Sequence, residues 1–254
     1  MPSALSPSPT LLSNRRTGAI LLGGVLATIV VFLLPAHGFI GRPLLWLSTL
    51  CHELGHGITA WLVGGRFESF IMTTKGGGLA RAYGASDTAE ALICAGGLVG
   101  PAIVAAIGFA LARRARVAQV SLLVGAALLL TLAILVAGNW LAWTFMPGVA
   151  LALIWVAARK NPEPAQVALV FVSTQLALSV FSRGDYLFTR SATVAGDTSP
   201  SDVELIARAV GGPYWLWGLC CGALSILALV MGLWLFARAY PDVGLDRLRS
   251  LRKR

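Results

Sequence analysis

Three residues in this chain have the types and spacing for metal chemistry: His52, Glu53 and His56, in the string His-Glu-x-x-His. On an α-helix, positions four apart share one face, one turn from each other. Two imidazoles placed so can reach a single zinc ion at about 2.0–2.1 Å. Glu53, next to the first histidine, can lean toward the open position of such a metal. There it can take a proton from water, whose pKa zinc lowers to about 7, and later pass one to a leaving amine. The chain holds three histidines and five glutamates among 254 residues. By composition the pattern would arise by chance in roughly one such chain in a thousand.

The element that must carry this motif is an apolar run over residues 43–63, long enough to cross a bilayer core. Pro43 suits its first turn and Gly64–Gly65 its stop. The motif begins about 13 Å into such a helix at 1.5 Å per residue. Ionisable side chains at that depth are costly and mark function. The whole composition agrees with a lipid environment. Hydrophobic residues make up 57% and charged residues 12%, with a mean hydropathy of +0.78. A soluble domain carries about 25% charged residues, so a soluble enzyme is excluded, and so is a disordered chain.

Further apolar runs cover 17–36, 89–112, 117–137, 140–158, 165–182 and 213–237. The expected fold is an all-α polytopic membrane protein with six or seven transmembrane helices. Its expected organisation is a Ser/Pro-rich disordered lead over 1–16, one membrane domain over 17–239 and a basic tail over 240–254. Residues 66–87 alternate polar and apolar types around Gly76–Gly77–Gly78, which predicts a short β-hairpin or extended loop after the motif helix. Its open edge cannot face lipid, so it must lie at the interface or line a cavity. Gly96, Gly97, Gly100 and Pro101 predict close helix contact and a kink. Asn139 reads as a helix break, and Ser201–Asp202 as a helix start.

The net charge of +9 comes from short basic clusters between apolar runs. That is the pattern of topology signals, and no nucleic-acid partner is expected. The basic tail suits anionic lipid headgroups. The four cysteines lie in apolar runs without metal or disulfide spacing and read as packing residues. His37, beside Gly38, reads as an interfacial residue. Tryptophan and tyrosine near the span ends, among them Trp46, Trp61, Trp140, Trp143, Tyr214, Trp215, Trp217 and Tyr240, read as an aromatic belt.

The string Cys51-His-Glu-Leu-Gly-His-Gly57, with Gly64–Gly65 eight residues past the second histidine, resembles the site-2 protease family of intramembrane zinc metallopeptidases, in its bacterial branch. The likeness covers about 43–101, including Gly-Gly-Leu-Val-Gly-Pro101. It implies hydrolysis of peptide bonds within or near the bilayer, and a hairpin that presents an extended substrate by strand addition. It also implies an aspartate as third zinc ligand, often in an Asp-Gly pair that this chain does not have. Of the six aspartates, Asp185 adjoins an apolar run that could return it to membrane depth, and it is the expected ligand; Asp202 is second. Asn139 and Pro147 are similar to an Asn and Pro that accompany the aspartate in some members.

The leading expectation is thus a multi-pass protein of the cell membrane that uses zinc to cleave membrane protein or peptide substrates. His52, His56 and Asp185 would hold the metal and Glu53 would move the proton. Regulation, where present, would come from a partner chain. The alternatives are a non-catalytic binding or regulatory protein of the same fold and, further off, a membrane transporter.

Overall fold

The computed structural model describes residues 37–238 except 183, 195 and 196, together with positions 19, 22–24 and 26. The lead 1–16, most of the expected first span 17–36, and the tail 240–254 with Tyr240 lie outside the described residues, as does the side chain of His37.

The motif helix α1 spans His37–Leu62, about 39 Å at 1.5 Å per residue. It begins six residues before Pro43, so the proline falls in the second turn, not the first. It stops where expected. Gly64 adopts φ +76, a left-handed conformation that costs glycine least, and Gly65 N donates to Ala60 O at 2.7 Å.

The expected hairpin follows, as β1 (Arg66–Met72) paired antiparallel with β2 (Gly78–Tyr83). The register shifts between Phe67 and Ser69. This bulge changes which parity of β1 faces inward, so Phe67, Phe70 and Met72 are all buried. Phe70 and Met72 pack with Leu50 and Leu54 of α1, which pins the hairpin against the helix that carries the motif.

Four long helices come next: α2 (Asp87–Ala112), α3 (Ala115–Val136), α4 (Trp140–Ala157) and α5 (Glu163–Ser182). Ser86 caps α2 by accepting from Ala89 N at 3.3 Å, and Asp87 and Glu90 complement the helix dipole in its first turn. The polar stretch after α5 then folds into a 3-10 helix (Gly184–Phe188), a second antiparallel hairpin of β3 (Ser191–Val194) and β4 (Asp197–Pro200), and a short helix α6 (Asp202–Val210). The helix start at Ser201–Asp202 is as the sequence predicts; the second hairpin is additional. The last helix is α7 (Tyr214–Arg238).

Five helices are long and apolar enough to cross a membrane: α2, α3, α4, α7, and α5 taken with the 3-10 helix. With α1 they make six long helices among the described residues, which is the polytopic architecture expected. α2 is the central one, with 61% of its apolar window buried against 22% for α3. Leu128, Ile134 and Leu135 of α3, Leu151 and Trp155 of α4, and Leu227 and Val230 of α7 are exposed. On a water-soluble protein that surface would drive aggregation; here it is the face that lipid solvates.

Candidate metal centre

The site forms where α1 meets α2 and α6. Small residues let the first two helices touch. A Cβ on Gly55 would strike the Gly96 carbonyl, and one on Gly100 would stand 3.0 Å from the Cys51 carbonyl oxygen. The glycine pattern therefore does on α2 what the sequence suggests. It also does more: Gly97 lies flat against the imidazole of His56, so that any Cβ there would overlap the ring. The groove left by a missing side chain is the seat of the second histidine.

His56 is oriented from α2 as well. Its Nδ1 lies 2.9 Å from the carbonyl oxygen of Ile93. A carbonyl can only accept, so Nδ1 carries the proton and Nε2 offers its lone pair on the other side. His52, one turn earlier, brings its own Nε2 within 3.2 Å of that of His56, with the two rings nearly perpendicular at 89°.

The carboxylate that meets them is Asp202. Its Oδ2 lies 3.2 Å from His52 Nε2 and 3.5 Å from His56 Nε2. These are the only three residues among those described whose His, Cys, Asp or Glu ligand atoms gather closely enough to hold an ion. Burial works against the charge on Asp202, but the two imidazoles beside it, when protonated, outweigh that and hold its carboxyl well below the usual carboxylate range. The expected ligand Asp185 has its backbone in the 3-10 helix, and its side chain lies outside the described residues. Among the described side chains, the aspartate that meets the two histidines is the second-ranked one. Its role as first residue of α6 does not compete with a ligand role, because Ser201, not Asp202, supplies the cap. Ser201 is fully buried, accepts from Glu204 N and donates to Thr189 O, while its amide donates to Arg190 O. These bonds fix the point where the second hairpin ends and α6 begins, and so fix Asp202.

The three donor atoms fit a zinc ion. Ligands at 2.0–2.1 Å in tetrahedral array stand about 3.3–3.4 Å apart, and the observed separations run from 3.2 to 3.5 Å. Two neutral imidazole nitrogens and one carboxylate oxygen are a donor set of the catalytic kind, which leaves one position open.

Glu53 is buried at 6% exposure and is held by the first hairpin. Its carboxylate faces the Ala80 backbone. Gly78 packs on it so closely that a Cβ there would come within 2.8 Å of Oε1. The same hairpin is tied to α1 by Thr49 Oγ1, which donates to Gly76 O at 2.6 Å, and by Trp46 Nε1, which donates to Thr73 O at 3.0 Å. Trp46 therefore anchors the hairpin to α1. The far edge of β1 is closed by residues 137–139. Gly138 N donates to Phe70 O, and Asn139 both accepts from Met72 N at 3.3 Å and donates to Met72 O at 2.7 Å while capping α4 through Ala142 N. Asn139 is a break between helices, as its sequence context suggests, and the clamp on β1 is a second role that no local pattern discloses. Pro147 lies inside α4.

A cleft of about 330 Å³ opens beside His52 and Glu53. Gly77 and Gly78 of the first hairpin form part of its wall, and Ala192 and Thr193 of the second hairpin another part. Tyr186 also lines it; its hydroxyl is 3.4 Å from Asp202 Oδ2 and its ring stands edge-on to His52. Sequence reasoning missed Tyr186. Its place right after Gly184–Asp185, at the polar return from an apolar run, is the signal that could have found it.

A family model described as peptidase M50B-like matches residues 23–232. No curated protein and no solved structure matches the chain.

Proposed function

The chain belongs to the peptidase M50B-like family, a site-2 protease family of membrane metallopeptidases, and from that premise we propose that it is an intramembrane zinc metalloendopeptidase. The observation that carries the reading is the convergence of His52 Nε2, His56 Nε2 and Asp202 Oδ2 at separations of 3.2–3.5 Å beside Glu53. His52, His56 and Asp202 would hold the metal. When bound, zinc would supply Lewis acidity, polarising the scissile carbonyl and making water acidic enough to ionise near neutral pH.

The chain's own residues would do the rest. Glu53, facing the Ala80 backbone, takes a proton from the attacking water and delivers it to the leaving nitrogen. The water oxygen thereby joins the carbonyl carbon and the C–N bond breaks, giving a carboxylate and an amine. The substrate would be a membrane protein or peptide in extended form. The β2 side of the hairpin supports this, since β1 is closed off by residues 137–139 while Gly78 and Ala80 of β2 lie against Glu53. A chain added along that edge would pass its carbonyls over the metal centre. The small lining residues leave room for backbone at close quarters. The cell membrane is the proposed location.

The test begins with metal content of the detergent-purified protein. Wild type should carry about one zinc per chain; His56→Ala and Asp202→Ala should lose it, and Asp185→Ala should keep it. Zinc retained in Asp202→Ala but lost in Asp185→Ala would move the third ligand. A wild type that binds no zinc after reconstitution would sink the peptidase reading and leave a non-catalytic membrane protein of the same fold.

A further inference from the structure

The proposed chemistry has room for one more group beside the Lewis acid. Addition of water to a peptide carbonyl puts negative charge on the carbonyl oxygen, and peptidases place a fixed hydrogen-bond donor where that charge develops. We infer that the Tyr186 hydroxyl is this donor. The inference rests on the peptidase reading above and adds a catalytic residue to it.

Four observations converge on Tyr186. Its side chain lines the cleft that holds His52 and Glu53. Its hydroxyl lies 3.4 Å from Asp202 Oδ2, the same oxygen that sits 3.2 and 3.5 Å from the two histidine nitrogens. The phenol therefore ends within reach of the point where the three donors meet. The ring is held from its sides, edge-on to His52 with centroids 5.9 Å apart, and packed on the cluster that contains Leu98 and Val203. Finally, 3.4 Å is a long O–H···O distance, well beyond the usual value of about 2.7–2.8 Å, so the hydroxyl is not committed to Asp202 and can turn to a stronger acceptor. A carbonyl oxygen gaining negative charge is one.

Two other hydroxyls of the cleft point to backbone carbonyls. Thr49 donates to the Gly76 carbonyl, and Ser179 to that of Leu176. Among the described cleft residues, Tyr186 alone has a hydroxyl with a hydrogen bond to a member of the metal-ligand group. Glu53 belongs to the wall that α1 shares with the first hairpin, while Tyr186 belongs to the 3-10 helix. Proton removal from water and stabilisation of the oxyanion thus come from separate elements. No proton leaves Tyr186 in this role; it donates a hydrogen bond that strengthens as the oxyanion forms and weakens as the C–N bond breaks.

Tyr186→Phe tests it, because the ring and its packing remain. The probes are a quenched-fluorescence synthetic transmembrane peptide as substrate and a phosphinic peptide, whose tetrahedral anionic phosphorus group imitates the oxyanion. Relative to wild type, kcat should fall by about 10²–10³-fold, KM should stay within about twofold, and zinc content should be unchanged. Affinity for the phosphinic peptide should fall with kcat/KM, as complementarity to the transition state requires. An equally active variant in an active wild-type background would overturn this inference alone. So would joint loss of zinc and kcat, which would make Tyr186 a support for Asp202. A wild type that holds zinc yet neither cleaves the peptide nor binds the analogue would overturn the peptidase reading, and this inference with it.

Discussion

Glu53 sits next to a histidine of the metal-binding pair in sequence, but its usefulness depends on two contacts from elsewhere, the Ala80 backbone and the close backbone of Gly78. Glu53→Gln keeps the shape while removing the base. It is expected to retain zinc and lose cleavage by about 10²–10⁴-fold, read as metal content beside peptide turnover; loss of zinc with activity would mean that Glu53 serves the metal instead. Asp202 behaves differently from a surface carboxylate. Its carboxyl is held below its ordinary range by the protonated imidazoles, so the stability its charge contributes is lost at a lower pH than that of a free carboxylate. His52, Glu53 and His56 were legible because a helix fixes their relation locally. The place of Asp202 beside them was not, because it lies far from His56 along the chain and near it only in space.

At the level of elements, the site depends on how closely α1 and α2 approach. Gly97→Ala would push a methyl group into the His56 ring. Overpacking of this kind costs about 1–3 kcal/mol, and here the strain falls on a ligand. The variant is expected to fold in the membrane with weakened zinc affinity, read by competition with a chelator; unchanged affinity would show that the ring has room to move. Asn139 offers a second test. Its side chain makes two hydrogen bonds to the Met72 backbone and one to Ala142 N. Asn139→Ala leaves those groups unpartnered, at about 1–3 kcal/mol. It should loosen the first hairpin, which amide hydrogen exchange across 66–83 would detect, and raise KM more than it lowers zinc content. The hairpin is foreseeable from alternation and its glycine turn, and so are the stop at Gly64 and the start at Ser201. The clamp by Asn139 is not, because it joins residues 67 positions apart.

For the whole molecule, metal and fold should be linked. A ligand that binds only the folded state stabilises it by about 4.1 kcal/mol at a thousand times its dissociation constant. Removing zinc with a membrane-permeant chelator should lower the melting temperature of wild type and leave His56→Ala unmoved; equal shifts in both would mean that the chelator acts elsewhere. Composition, periodicity and spacing were enough for the lipid-solvated class, the apolar runs that became the long helices, the hairpin after α1, and the trio His52, Glu53 and His56. Each is a local matter of composition, period or one helical turn. Long-range packing brought Asp202 to the two imidazoles, because the 3-10 helix, second hairpin and α6 fold back to set it against them. It also decided that Gly97 seats His56, that Asn139 grips β1 and that Tyr186 enters the cleft. Those are contacts between distant segments, made by packing helices whose sequences say that they are apolar but not which neighbours they choose.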